Sequence, residues 1–313
     1  MTAPTNTQLS FSTYGNREDL TDEIHMISPL DTIFFNRIDS VEANGTKHEW
    51  QIDTLAAAVA TNYVVEGDSP SADAFSATTR LYNTTQLSDK IVIVSSRQRA
   101  VKTAGRGDEM AYQLAKRAKE LKRDVEMSLV ANNIQVTGDG TVASECAGIE
   151  SWIATNYSCG AGGSVGGAGT TAKTDGTARA FTEDLFLAVL EDIWEAGGDP
   201  DIVLVRAFNK RKMSTFTGNA TRTIDAESGM LQGAIDFYKS DFGVMEIWPS
   251  RYTHTTSCLI LQSDMWKFAV LQPWVSEPLA KTGHADQMML SVEYTLEACN
   301  EAASGAVFDL STS

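Results

Sequence analysis

Four histidines, four cysteines and one glycine-rich run are the residues of this chain whose types could serve a reaction, a metal or a phosphate. His25, His48, His254 and His284 each stand alone. None has a second His or a Glu four residues away, the spacing that sets two ligands on one side of a helix for zinc. Cys146, Cys159, Cys258 and Cys299 lie far apart and form no CxxC pair, so free thiols are expected. There is no GxSxG elbow. His254, Ser257 and Asp264 are the nearest approach to a hydrolytic triad, a set whose members meet only in space. The run at 158–176, SCGAGGSVGGAGTTAKTDG, opens a GxG spacing but places Val165 where the third glycine belongs, and it contains no GxxxxGK[ST]. It reads as a flexible surface loop, not a phosphate cradle. Arg106-Gly107-Asp108 spells an integrin-binding tripeptide, but its place is the start of a helix, where Asp108 serves as the N-cap. No cluster asks to be called catalytic, so function has to be argued from the elements.

The charge balance narrows the classes further. The chain has 313 residues with 25 Lys/Arg against 41 Asp/Glu, a net charge of −16. That is poorly suited to gripping nucleic acid by neutralising phosphates. Residues 97–126 run against the trend, with nine basic and five acidic side chains for a net +4, leaving −20 on the rest. This reads as a solvated helix face with pairs such as Lys116/Glu120 and Lys122/Glu126. The first nineteen residues have neither the basic start nor the apolar core of a signal peptide. No apolar run approaches the roughly 18 residues of a membrane-spanning helix.

The longest element predicted is a helix within 102–133, rich in Ala, Leu, Met, Glu, Lys and Arg. Leu114, Ala118, Leu121, Val125 and Leu129 share one face, and Asp108 with Glu109 suits its first turn. Ahead of it come a polar leader and an apolar anchor of Ile33, Phe34, Phe35 and Ile38. Then two strand patterns, around HEWQIDTLA and along 78–96, flank a polar bend with Gly67, Asp68 and Pro70. The pair makes a long ribbon with too few large apolar side chains for a core. Such a ribbon is marginal alone, so it is expected to rest on something outside its own fold, in practice another copy. Residues 149–156 suit a short helix with Trp152 inward. Phe181, Thr182, Glu183, Asp184 and Phe186 make a capped and stapled helix start, with Leu185, Phe186, Val189, Leu190, Ile193 and Trp194 as its buried stripe and Gly197, Gly198 and Pro200 as its stop. A helix from Asn209 to about Phe216 and a loop at 217–231 follow. Strands are expected at 202–205, 235–238, 244–248, 258–261, 266–271, 286–300 and 306–310. Helices and strands mix without a βαβ beat, which is α+β.

The order of these parts resembles the Hong Kong 97-type major capsid protein of tailed bacteriophages. The likeness is carried by LTDEIHMISPLDTIFF, HEWQIDTLAAA with VVEGD, AVKTAGRGDEMAYQLAKRAKELKRDVEMSL, GIESWIATN and VEYTLEACNEAASGAV, from about residue 20 to 310. It implies an N-arm (1–44), an extended E-loop hairpin (45–96) and a peripheral domain with a spine helix (97–145). A mixed axial domain (146–271), a long peripheral strand (272–300) and a C-terminal strand and tail (301–313) complete the division. It implies a structural shell protein of hexamers and pentamers in an icosahedral head around double-stranded DNA, located in the virion and assembled in the host cytoplasm. No catalysis, cofactor, metal or membrane is implied. The partners would be copies of itself together with scaffolding, portal and cement proteins, and the DNA would be enclosed without sequence-specific binding. Because the chain starts almost directly with the arm, the scaffold is expected as a separate protein or a processed precursor. A nanocompartment shell of the encapsulin kind is the alternative on the same fold, and a soluble hydrolase using His254 is the alternative of another class. Trp50, Glu66, Arg106 and Asp108 are the candidate assembly contacts by charge and position, each equally readable as a cap, turn or local packing residue.

Overall fold

The computed structural model describes residues 31–69, 72, 75, 77–101, 103, 107–216 and 236–312. The loop expected at 217–231 lies outside them.

Three sheets organise the described chain. The first has four strands in the order β1-β10-β11-β4, namely β1 (Asp39–Glu42), β10 (Trp266–Pro278), β11 (Ala285–Ala298) and β4 (Gln86–Ser95). β10, β11 and β4 run antiparallel, and β1 joins β10 in parallel with Asp39 opposite Lys267. The second is a two-stranded ribbon of β2 (Lys47–Ile52) and β3 (Thr79–Thr84). The third has six strands in the order β5-β12-β9-β6-β8-β7, built from β5 (Asn156–Ser158), β6 (Ile202–Val205), β7 (Phe237–Ser240), β8 (Gly243–Pro249), β9 (Cys258–Leu261) and β12 (Gly305–Val307). The helices are α1 (Ser96–Ala100), α2 (Glu109–Val130), α3 (Ile149–Trp152), α4 (Glu183–Glu195) and α5 (Ala207–Met213).

The spine helix α2 begins where its cap predicts, since the Asp108 carboxylate accepts from the Met110 amide at 3.2 Å. It is shorter than the helix-forming composition of 102–133 suggests. Its 22 residues span about 33 Å. Only the second half of the expected stripe is sealed: Leu121, Val125 and Leu129 are buried, Leu114 is half-buried and Ala118 is exposed. The first half lies over β4, where Met110 and Leu114 meet Val92 and Val94.

The returning strand expected along 78–96 is two strands. The chain breaks at Thr85, so β3 pairs with β2 while β4 crosses into the four-stranded sheet, with Ser88 opposite Val292. The ribbon is therefore only six residue pairs long, and residues 53–78 extend beyond it. Sequence pattern alone could not see this, because Thr- and Val-rich strands look alike whichever sheet they join.

The strands β6, β9 and β12 of the six-stranded sheet are buried on both sides, which explains the unbroken apolar run of β6. Val203 and Val205 face Phe186, Val189, Leu190 and Ile193 of α4, and Ile202 and Leu204 join the core formed by α2, α3 and the four-stranded sheet. The start of α4 is built as expected, with Thr182 Oγ1 accepting from the Leu185 amide and Phe181 edge-on to Phe186, their centroids 6.4 Å apart. Trp194 departs from the stripe. It is 59% exposed and lies against Phe242 rather than in the core.

The glycine-rich run is not a loose loop. Ser164 bridges to Thr174 and Gly167 to Thr171, folding it into a small hairpin against α3. Close backbone approach demands the glycines here: a Cβ on Gly166 would sit 1.8 Å from the Thr171 carbonyl oxygen.

Candidate assembly surfaces

Two segments are joined to the body through buried polar groups, one projecting from it and one lying along it. The first is the stretch 53–78 beyond the ribbon. Leu55, Tyr63, Val64, Val65 and Phe75 are exposed on it, Leu55 fully and Phe75 at 93%. Among its described residues local structure is limited to short turns such as Asp68 N–H to Val65 O at 3.0 Å, with Gly67 at φ 87°. Clustered exposed side chains of this kind mark an interaction surface.

At the base of the ribbon, Trp50 lies on Trp152 with centroids 5.4 Å apart. His48 Nε2 is 2.7 Å from Glu297 Oε2 on β11. That contact is the main reason the Glu297 carboxyl lies below its ordinary value, with Cys299 and Lys267 adding to it and burial opposing. Asn83 rivets the same place. Its Nδ2 donates to the carbonyls of Leu296 (2.8 Å) and Ala147 (3.3 Å), while its Oδ1 accepts from the Ala147 amide at 3.0 Å and the Thr84 amide at 2.9 Å. A buried amide satisfied at both ends fixes the register between the ribbon and the body.

The second segment is the arm around 31–42. Phe34 is buried edge-on to Trp266, and Phe35 packs on Phe268 and Trp274. The carboxylate of Glu126 on α2 accepts from the Phe34 amide at 3.0 Å and the Phe35 amide at 2.8 Å. The expected Lys122/Glu126 surface pair is thus replaced. Glu126 is fully buried, and Lys122 Nζ instead donates to Asn36 Oδ1 at 2.9 Å and sits 5.0 Å over the Phe35 ring. Beside the arm an open groove of about 660 Å³ is lined by Phe35, Val41, Phe268, Val270 and Trp274. The face of the four-stranded sheet away from α2 shows Leu87, Ile91 and Ile93 to solvent.

The four residues singled out from sequence fall in different places. Trp50 is a half-buried anchor within its own subunit. Glu66 is exposed in the turn of the projecting stretch. Asp108 caps α2 and also faces Arg99 at 3.8 Å. Arg106 lies outside the described residues. Glu126, Asn83 and Glu297 escaped sequence reasoning, since nothing in their spacing separates a buried polar rivet from a solvated one. The hydrolytic set is not brought together. Ser257 is fully buried at one end of β9 and Asp264 lies past the other end, about 13 Å of strand away. His254 Nδ1 is engaged with Thr256 Oγ1 at 2.7 Å. Among the described residues no three His, Cys, Asp or Glu side chains gather as a metal site. No helix among them is long and apolar enough to cross a membrane.

A spine helix laid on an antiparallel sheet, a second buried mixed sheet, a projecting ribbon and a pinned arm define the class: this is the α+β Hong Kong 97-type capsid fold. Two solved structures share it across nearly their whole length. The capsid of cyanophage P-SCSP1u superposes at TM-score 0.64 with 13% identity, covering 99% of this chain and 97% of the other. An encapsulin from Synechococcus elongatus superposes at 0.56 with 12% identity, covering 95% and 93%. At the level of sequence, the major capsid protein of Escherichia phage Phieco32 is 25% identical over 96% of each chain. Residues 3–311 match the SU10 major capsid protein family, and the chain belongs to it. It is a phage major capsid protein, and its place is the capsid shell of the virion.

Proposed function

We propose that copies of this chain associate as hexamers and pentamers of an icosahedral head that encloses double-stranded DNA, and that the role is mechanical rather than catalytic. The observation that carries this is the stretch 53–78. It presents Leu55, Tyr63, Val64, Val65 and Phe75 to solvent, and its described residues form no core of their own. Burying them on another copy would contribute roughly 1.5–3 kcal/mol for each large side chain, less the cost of ordering the loop. In this reading residues 31–42 belong to the N-arm and 45–84 form the E-loop. Strands β4, β10 and β11 with α2 form the peripheral domain, which takes residues 86–96 out of the expected E-loop and 266–271 out of the expected axial domain, and the six-stranded sheet with α4 and α5 is the axial domain. Portal, scaffolding and cement proteins complete the list of partners. With net charge −16 the chain would confine DNA without gripping it.

The test is deletion of residues 67–75, followed by sedimentation and negative-stain imaging. The subunit should remain folded, as judged by circular dichroism and melting, while closed particles are lost. Normal shells from the deleted chain would sink the proposal. The contents of wild-type shells decide between the phage head and a cargo compartment: nucleic acid supports the former, a co-purifying enzyme the latter.

A further inference from the structure

Family membership says nothing of how the arm is held. The turn at residues 34–38 closes with the Arg37 and Ile38 amides donating to the Phe34 carbonyl at 3.0 and 3.3 Å. That leaves the amides of Phe34 and Phe35 as the unpaired donors that every helical turn has at its start. Glu126 supplies one carboxylate oxygen to each, from a helix 92 and 91 residues away in sequence. Around it Phe34 is inserted against Trp266, Lys122 holds Asn36, and Arg37 reaches β8 through Glu246 at 2.6 Å and the Trp248 ring at 4.8 Å.

A fully buried carboxylate needs the free amides of a turn start at this point, and undoing the turn would leave it an unpaired buried charge, which is expensive. Which residues fill the turn is set by the side-chain contacts of Phe34 with Trp266, Asn36 with Lys122 and Arg37 with Glu246. We infer that Glu126 is the positioning residue of the amino-terminal arm: its carboxylate caps the 34–38 turn, holds it on the spine helix and fixes where the chain enters the body.

Other charges around the joint are already engaged. Lys122 is bound to Asn36, Arg37 to Glu246, and Asp31 faces Arg251 at 3.7 Å. β10 contributes the rings of Trp266 and Phe268. Burial raises the Glu126 carboxyl above its ordinary value, opposed by the amides of Phe35, Phe34 and Ile33 and by Lys122.

Hydrogen exchange on the full chain tests this, with Glu126→Gln, Glu126→Asp if the first does not fold, and Val125→Ala as a neighbouring core truncation. In E126Q the Phe34 and Phe35 amides should exchange about ten-fold or more faster. Those of β10 and β11 should hold. V125A should instead weaken protection across the body without singling out the arm. Unchanged protection at Phe34 and Phe35 in E126Q overturns the inference, as does acceleration shared equally by the whole body. A second expectation, that E126Q lowers the yield of closed particles, rests on the shell reading. Failure of the unaltered chain to form particles would count against that reading and leave the exchange result standing, since exchange is read in any assembly state.

Discussion

At the scale of single residues, the informative side chains are polar ones sealed at the joints between appendage and body. Glu297 is the clearest to test by pH. Its carboxyl is held down first by His48, so the folded value lies below the unfolded one. The stability it contributes is then fully present above the ordinary carboxylate range and is lost as pH falls through the lowered value. Glu297→Gln should cost about 2 kcal/mol near neutrality, the worth of a hydrogen bond to a charged group. The gap between the two chains in denaturant titrations should close in acid. A gap that stays constant down to pH 2 would show that the charge is not what matters. Two buried thiols behave oppositely: burial pushes Cys146 up to about 11 and raises Cys258 as well. They are packing residues, not nucleophiles.

At the scale of elements, capping and close approach decide which local readings survive. The start of α4 is complete in the sequence, with its cap, its acidic first turn and its staple, and it folds accordingly. Thr182→Ala should lower stability by about 1 kcal/mol, read from the denaturant midpoint with an unchanged slope. The glycine-rich hairpin is the contrary case. Composition marked it as loose, yet Gly166 lies under the Thr171 carbonyl. Gly166→Ala should therefore cost about 1–3 kcal/mol, from overpacking against backbone that cannot swing aside. A neutral outcome in thermal melts would mean that the hairpin gives way after all. The long strand β11 is the element on which the others meet. It pairs with β10 and β4 along its length and carries Leu296 and Glu297 to the base of the ribbon.

At the scale of the whole molecule, charge and apolar surface pull in opposite directions. Each subunit carries −16, so copies repel one another, while the stretch 53–78 and the outer face of the four-stranded sheet offer apolar area to cover. Salt screens the first and leaves the second. Association followed by light scattering should thus be faster and more complete at about 0.5 M than at about 0.05 M salt, where the Debye length is several-fold longer. The reverse dependence would indicate that contacts between copies are dominated by opposite charges rather than by apolar burial.

Sequence alone determined the capped helices, the doubly buried run of β6 and the α+β class, because caps, periodicity and apolar runs act over a few residues. It also determined the absence of any familiar catalytic motif and, through the order of the parts, the resemblance to a capsid protein. Tertiary structure alone decided the rest. It split residues 78–96 between two sheets, because a strand's partner is set by register with a distant chain. It turned Lys122 and Glu126 from an expected surface pair into two clamps on the arm. It brought His48 to Glu297 and Asn83 to Leu296 across more than two hundred residues. Burial is a property of what lies opposite a side chain, and for a polar residue no local spacing encodes it.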